Sequence, residues 1–273
     1  MSEAVERVVV PLDAASEQRA VIDSAARLAR RWRARLHGIF VEDEELLGFA
    51  GLPFARQVIL GGIVERLTAA HIERQLRAFA EAARRELAGA ALRYGVEWSF
   101  EVVRGGHAPL AVAASRDFLV AGMLTRPIGA HFQVECRWWQ TVELVEVSCY
   151  LARREWGAPG SVVALLLGRD PASLRMLDAA AEWAANDSGV LSVVCAPELA
   201  AAEGFSAWLG ERLAPHRLRV QVELAPADPA RFVELCIALD CRLLVVDGGS
   251  SEARIARLRE LAAVIACDFL VVR

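Results

Sequence analysis

The sequence contains no lysine, and all 31 of its basic residues are arginine. Schiff-base catalysis, the phosphate-binding lysine of a P-loop and the catalytic lysine of a protein kinase are therefore excluded. The chain also lacks a run of about 18 to 20 apolar residues, which is the length that crosses a bilayer. Its first residues, MSEAVER, contain no apolar signal-peptide core. We therefore expect a cytoplasmic protein that does not enter a membrane.

Patterns that bind metals or nucleic acids are also missing. The six cysteines form no CxxC pair and the five histidines have no HxxxH or HExxH spacing, so we predict buried cysteines and no metal site. The net charge is −4 and the arginines alternate with acids, which disfavours a nucleic-acid partner. No nucleophile, base and orienting residue share a catalytic spacing, so no catalytic residue is predicted.

What the chain does contain is an internal repeat. VIDSAARLARRWRARLHGIFVED, residues 21–43, aligns with MLDAAAEWAANDSGVLSVVCAPE, residues 176–198, at a shift of 155 residues. The apolar pattern and one aspartate, Asp23 or Asp178, agree between the two segments. Each repeat alternates short apolar strands with amphipathic helices, which is typical of parallel sheets covered on both faces.

The predicted fold class is therefore α/β, with two doubly wound parallel-sheet domains (α/β/α sandwiches) in tandem, packed as a pseudo-dimer. We place the domains at 1–155 and 160–273, joined by the linker WGAPGS. The predicted strands are 8–12, 36–41, 96–103, 118–122, one around Tyr150, 162–167, 190–195, 218–224, 242–247 and 268–272. The predicted helices are 19–32, 66–93, 172–185, 204–214, 229–239 and 252–265, with a further short helix starting at Pro109.

The segments VVVPLDAASEQRA, GIFVED, FLVAG and ACDFLVVR resemble the universal stress protein family in its tandem two-domain form. The resemblance implies the adenine nucleotide alpha-hydrolase-like fold. Family members that bind ATP use an aspartate after the first strand, a backbone contact from the second strand and a G-x2-G-x9-G-[S/T] loop after the fourth. By position, Asp13 and Val41 correspond to the first two elements, and Gly122 begins the loop segment.

The glycine loop itself does not match in either repeat. After Gly122 the only further glycine of the first repeat's loop segment is Gly129, and the second repeat has none downstream of Gly249. The aspartate of the second repeat, Asp170, is displaced by two positions from the place of Asp13. We therefore interpret Asp13 as a strand-to-helix turn residue, with nucleotide binding as the alternative.

Two other segments are candidates for binding an anion at the carboxyl ends of strands. In DGGSSEAR, backbone N–H groups of Gly248, Gly249 and Ser250 are candidates for an anion-binding nest, and the alternative is a turn with a serine as helix N-cap. In RGGHAP, Arg104 and His107 are candidates to receive an anionic group, joined by Arg126, and the alternative is a solvated loop.

Two hydrophobic segments interrupt the repeat pattern. The insertion after the second strand begins with the four acids 42–45, which are interpreted as a solvated loop, with a cation site as the alternative. It continues as the apolar run 46–59, which is expected to cover a core or an interface. CRWWQTVELVEV, residues 136–147, is expected to pack between domains, and base stacking is the alternative.

These observations predict a non-enzymatic, cytoplasmic stress-response or regulatory protein. By resemblance it binds a nucleotide (ATP or AMP) or another small anionic ligand, outside the usual ATP mode. The alternatives are a nucleotide-binding or nucleotide-hydrolysing enzyme of the same fold group, and a ligand-free interaction scaffold. A homo-oligomer or a protein partner is compatible with each of them.

Overall fold

A computed structural model gives the structure of the protein. It describes residues 5–14, 18–42, 44, 48, 56–58, 64–66, 68–105, 116–123, 145–153, 160–249, 260–262 and 264–273. The chain divides into an N-terminal unit, Val5–Ala114 with Val120–Val145, and a C-terminal unit, Ser115–Leu119 with Glu146–Arg273. The predicted domain boundaries and the pseudo-dimer stay predictions.

The N-terminal unit is built on a parallel sheet. Its elements are β1 (Arg7–Leu12), α1 (Gln18–Trp32), β2 (Arg35–Glu42), β3 (Arg56–Val58), β4 (Val64–Arg66), α2 (Ala69–Tyr94) and β5 (Trp98–Arg104). Strand β2 pairs in parallel with both β1 and β5, while β3 and β4 form a separate antiparallel pair. The next strand, β6 (Asp117–Gly122), lies beside β1, and its residues from Val120 onward belong to this unit.

Helix α2 shows how the local sequence sets the ends of an element. The Thr68 side chain accepts a hydrogen bond from the His71 backbone N–H at 3.3 Å, which satisfies a donor that the first turn leaves without a helical partner. At the other end Gly95 has φ 64°, the left-handed conformation that glycine adopts at low cost. The helix therefore runs from 69 to 94, close to the predicted 66–93.

The C-terminal unit repeats the arrangement. Its elements are β7 (Cys149–Ala152), β8 (Ser161–Leu166), α3 (Pro171–Ala185), β9 (Val190–Cys195), α4 (Pro197–Ala200), α5 (Phe205–Leu213), β10 (Arg219–Leu224), α6 (Pro229–Ala238), β11 (Cys241–Asp247) and β12 (Asp268–Val272). The strand order is β10-β9-β8-β11-β12-β7. The pairs β10–β9, β9–β8, β8–β11 and β11–β12 are parallel, and the pair β12–β7 is antiparallel.

The predicted α/β class is confirmed, and the predicted strands and helices that fall in the described residues end within three residues of the observed ones. The sequence did not predict helix α4 or the pair β3–β4. The helix expected from Pro109, most of 46–59 and the tryptophans at 138 and 139 lie outside the described residues. In the described part of the chain, no helix is long and apolar enough to cross a membrane.

Candidate functional site

Each unit has a point at which the order of its strands reverses. In the N-terminal unit this point lies between β1 and β6, and in the C-terminal unit between β8 and β11. Ligands of doubly wound sheets bind outside the carboxyl ends of strands at such points. Asp13 follows β1 and Gly122 ends β6, while Asp170 and Gly248 lie just beyond β8 and β11. The predicted site residues Asp13, Gly122 and Gly248, and Asp170, the counterpart of Asp13, therefore lie where this fold places ligand sites.

Asp13 takes part in the turn from β1 into α1. The Gln18 side chain donates from Nε2 to the Asp13 backbone carbonyl oxygen at 2.6 Å, and this bond joins the end of the strand to the first turn of the helix. Val41 is only 5% exposed and lies opposite Val103 in the β2–β5 register. The Gln18 contact is consistent with a turn role for Asp13, whereas the nucleotide roles of Asp13 and Val41 stay predictions.

Arg104, the predicted anion-binding residue at the end of β5, has a carboxylate partner within the chain. Its Nε donates to Glu42 Oε2 at 3.1 Å, and its Nη2 lies 3.0 Å from the same oxygen. The Glu42 side chain is 11% exposed, and its backbone carbonyl accepts a hydrogen bond from the Gly105 N–H at 3.1 Å. An anionic ligand therefore has to compete with a largely buried carboxylate for Arg104.

The two glycines after β11 also bond within the chain. The Gly248 N–H donates to the Val272 carbonyl oxygen at 2.8 Å, and the Gly249 N–H donates to Asp247 Oδ1 at 3.0 Å. A Cβ atom at Gly248 would lie 2.5 Å from Val271 Cγ1, so close packing against β12 alone requires glycine there. Two of the three N–H groups of the predicted nest, those of Gly248 and Gly249, thus have acceptors in the protein.

Asp170 caps helix α3 in the C-terminal unit. Its carboxylate accepts hydrogen bonds from the Ala172 N–H at 3.0 Å, the Ser173 N–H at 3.2 Å and the Ser173 hydroxyl at 2.7 Å. These bonds, led by that of the Ser173 hydroxyl, hold the pKa of Asp170 below its usual value. In the repeat alignment Asp170 lies two residues beyond the position of Asp13. This shift places the Asp170 carboxylate at the N-cap of α3.

The remaining predicted site residues His107, Arg126 and Ser250 lie outside the described residues. Among the residues that the structure describes, no group of three or more His, Cys, Asp or Glu side chains is placed to hold a metal ion. Among the described candidates, Asp13 therefore takes part in a turn, Asp170 in a helix cap and Arg104 in an internal ion pair.

Solved structures share this architecture. A universal stress protein from Archaeoglobus fulgidus DSM 4304 matches with a TM-score of 0.69 at 13% identity, covering 98% of this chain and 96% of that one. A protein described as a universal stress protein from Pseudomonas aeruginosa UCBPP-PA14 gives 0.61 at 13% identity, covering 98% and 93%. The chain has the universal stress protein fold. The resemblance predicted from the sequence is confirmed at this level.

A protein of unknown function from Pseudomonas aeruginosa PAO1 matches with a TM-score of 0.60 at 14% identity, covering 98% of this chain and 92% of that one. No protein-family model and no curated protein matches the sequence. The likeness to universal stress proteins is therefore one of fold, detected through structure rather than through sequence identity.

Within this universal stress protein fold, sequence reasoning missed an aromatic cluster next to Asp170. The Arg169 guanidinium lies 4.5 Å from the ring centre of Trp208 and 5.5 Å from that of Phe205, both on α5. Cation–π contacts of this kind hold an arginine against the ring faces. The spacing of Phe205 and Trp208 indicates a shared helix face, but no local pattern joins them to Arg169 in the sequence.

The described cysteines are buried, as predicted, and form no disulfide with one another; they are Cys149, Cys195, Cys236, Cys241 and Cys267. Burial raises the pKa of Cys149 to about 12. Hydrogen bonding with Cys236 and then Cys267 raises the pKa of Cys241. Because the thiolate is the reactive form, neither Cys149 nor Cys241 is activated as a nucleophile near neutral pH.

Proposed function

We propose that this protein is a non-enzymatic, cytoplasmic regulatory member of the universal stress protein family that does not bind ATP in the family's usual mode. The observation that carries the proposal is the internal use of the expected phosphate-binding groups. The N–H groups of Gly248 and Gly249 donate to Val272 and Asp247, and the Arg104 guanidinium binds Glu42. Backbone N–H groups must point at a ligand to cradle its phosphates, and these two point at protein acceptors.

The fold and the thiols support the other parts of the proposal. Two solved structures described as universal stress proteins each match 98% of the chain. The five described cysteines are unpaired, which is usual in a reducing compartment such as the cytoplasm. Binding of another small anionic ligand, homo-oligomerisation and a protein partner stay predictions.

Thermal unfolding of the full chain with ATP, AMP and Mg²⁺ tests the proposal. A ligand at about 100 times its dissociation constant stabilises a fold by about 2.7 kcal/mol, which is an easily measured shift. If a nucleotide raises the melting temperature, we expect Asp13→Ala to show the same rise. We also expect no metal-dependent release of phosphate. A shift lost in Asp13→Ala but kept in the matched variant Asp170→Ala would contradict the proposal and establish a nucleotide site after β1.

A further inference from the structure

The N-terminal unit contains a groove between helices α1 and α2 that belongs to none of the sites described above. Its volume is about 370 Å³. The lining residues are Arg19 and Ile22 from α1 and Ala82, Arg85, Glu86, Gly89 and Arg93 from α2. Sites for small molecules have volumes of about 300 to 1,000 Å³, so the groove has the size of a site for a small metabolite.

The charge of the groove is strongly unbalanced. Three arginines face one glutamate, in a chain whose net charge is −4. Arg93 donates to Asp23 at 3.1 Å, but neither Arg19 nor Arg85 has a hydrogen bond or ion pair with another described residue. Guanidinium groups that outnumber the acids near them repel one another, and an anion in the groove relieves that repulsion.

Gly89 is a second, independent feature of the groove. It lies in the interior of α2, where glycine is less favourable than alanine. No heavy atom lies within 4 Å of a Cβ atom built there, so packing within the protein does not require glycine. Because Gly89 has no side chain, a ligand in the groove can approach the backbone of α2 closely.

We infer that the α1–α2 groove binds a phosphate-bearing small molecule. Arg19 and Arg85 supply planar donor groups that bind phosphate oxygens in pairs, and Arg93 adds positive charge beside them while it donates to Asp23. Ile22 and Ala82 line the apolar part of the groove. The site lies between helices rather than at the strand ends, so this inference does not rest on the proposed function.

Isothermal titration of the full chain with inorganic pyrophosphate and with AMP tests the inference. Arg85→Gln is expected to weaken binding about tenfold or more, because it removes charge-assisted hydrogen bonds. The matched control is Arg84→Gln, since Arg84 is the preceding residue of the same helix, does not line the groove and pairs with Glu81 at 4.0 Å. We expect Arg84→Gln to change affinity less than twofold.

A second pair of variants separates ligand contact from folding. Gly89→Ala and Gly210→Ala each replace a helical glycine whose Cβ position is open, so both are expected to raise the melting temperature of the unliganded protein. Only Gly89→Ala is expected to weaken binding of the probes. Equal loss of affinity in both glycine variants would overturn the inference.

The probes and Asp13→Ala complete the test. Tighter binding of AMP identifies a phosphate ester as the ligand type, and tighter binding of pyrophosphate identifies an inorganic one. Binding of neither probe at millimolar concentration, or equal losses in the Arg84 and Arg85 variants, would overturn the inference. Binding lost in Asp13→Ala and kept in Arg85→Gln would also overturn it, and would contradict the proposed function as well.

Discussion

The two tyrosines of the chain make the same contact in two different environments. Tyr94, in the N-terminal unit, donates its hydroxyl hydrogen to Asp23, with oxygen distances of 2.9 and 3.1 Å. Tyr150, in the C-terminal unit, donates to Asp268 at 2.6 Å. The first pair lies near the surface and the second lies in the core. The comparison shows how burial changes the cost of losing a tyrosine–aspartate hydrogen bond.

Around Asp23 the donors are plentiful and the solvent is close. Arg27 and Arg93 also donate to it, at 3.0 and 3.1 Å, and the Asp23 side chain is 25% exposed. Partial burial favours a higher pKa, but the bonds from Arg27, Tyr94 and Arg93 outweigh it and lower the pKa of Asp23. Loss of one donor leaves two others and water.

Around Asp268 the donors come from the protein interior. Asp268 is 1% exposed, and besides Tyr150 it accepts a hydrogen bond from the Arg153 backbone N–H at 2.7 Å. The Tyr150 ring stacks on Trp183, with 5.4 Å between ring centres. Burial, and then the charge of Asp268, raise the pKa of Tyr150 well above its usual value. A bond lost here exposes a buried carboxylate to an apolar environment.

The largest effect is therefore expected for Tyr150→Phe. The phenylalanine keeps the ring on Trp183 and removes only the donor to Asp268, so we expect a loss of about 2 to 3 kcal/mol in the free energy of unfolding. Urea titration followed by circular dichroism measures this loss, provided that the slope of the transition stays constant.

Tyr94→Phe is the matched control for the buried pair. Asp23 keeps two arginine donors, so we expect this change to cost about 0.5 kcal/mol. If Tyr94→Phe proved as costly as Tyr150→Phe, burial would not be what distinguishes the two pairs, and the comparison would fail.

The next effect in size is expected for Asp23→Asn, which removes the charge that three donors share. Because the cluster is partly exposed and screened by water, we expect a loss of about 1 kcal/mol near pH 7. The folded pKa of Asp23 lies below its ordinary value of 3.8, so the stabilising effect is complete above that pH. It disappears as the pH falls through the folded pKa. The difference from wild type should therefore vanish in acid, and a difference that persists there would show that packing, not charge, is involved.

The fold was largely predictable because its signals are local. Short apolar runs mark buried strands such as Val8–Leu12, and helical spacing marks α1, so the element order follows from neighbouring residues. The same local signals predicted the position of Asp13 directly after β1. The internal repeat also places Asp23 and Asp178 at equivalent positions.

The partners of these residues were not predictable, because they lie far away along the chain. Tyr94 is 71 residues from Asp23, and Arg104 is 62 residues from Glu42. Periodicity contains no information about which side chains meet at such separations. The role of Gly248 was not predictable from the sequence either, because a phosphate-binding nest and close packing on Val271 both require glycine at this position.

The smaller effect of the two aspartate variants is expected for Asp178→Asn, and the comparison with Asp23→Asn measures what the tyrosine donor adds at Asp23. Asp178 occupies the equivalent position in α3 and binds the Arg212 side chain through two bonds, 2.9 Å from Nε and 2.6 Å from Nη2. Its side chain is 43% exposed, and that of Arg212 is 32% exposed. An exposed pair of this kind contributes about 0.5 kcal/mol, half of what we expect for Asp23→Asn. Urea titration of both variants in low and high salt measures the two values. A larger loss for Asp178→Asn would show that a two-bond arginine pair stabilises a helix more than a cluster of three donors, because its geometry is fixed.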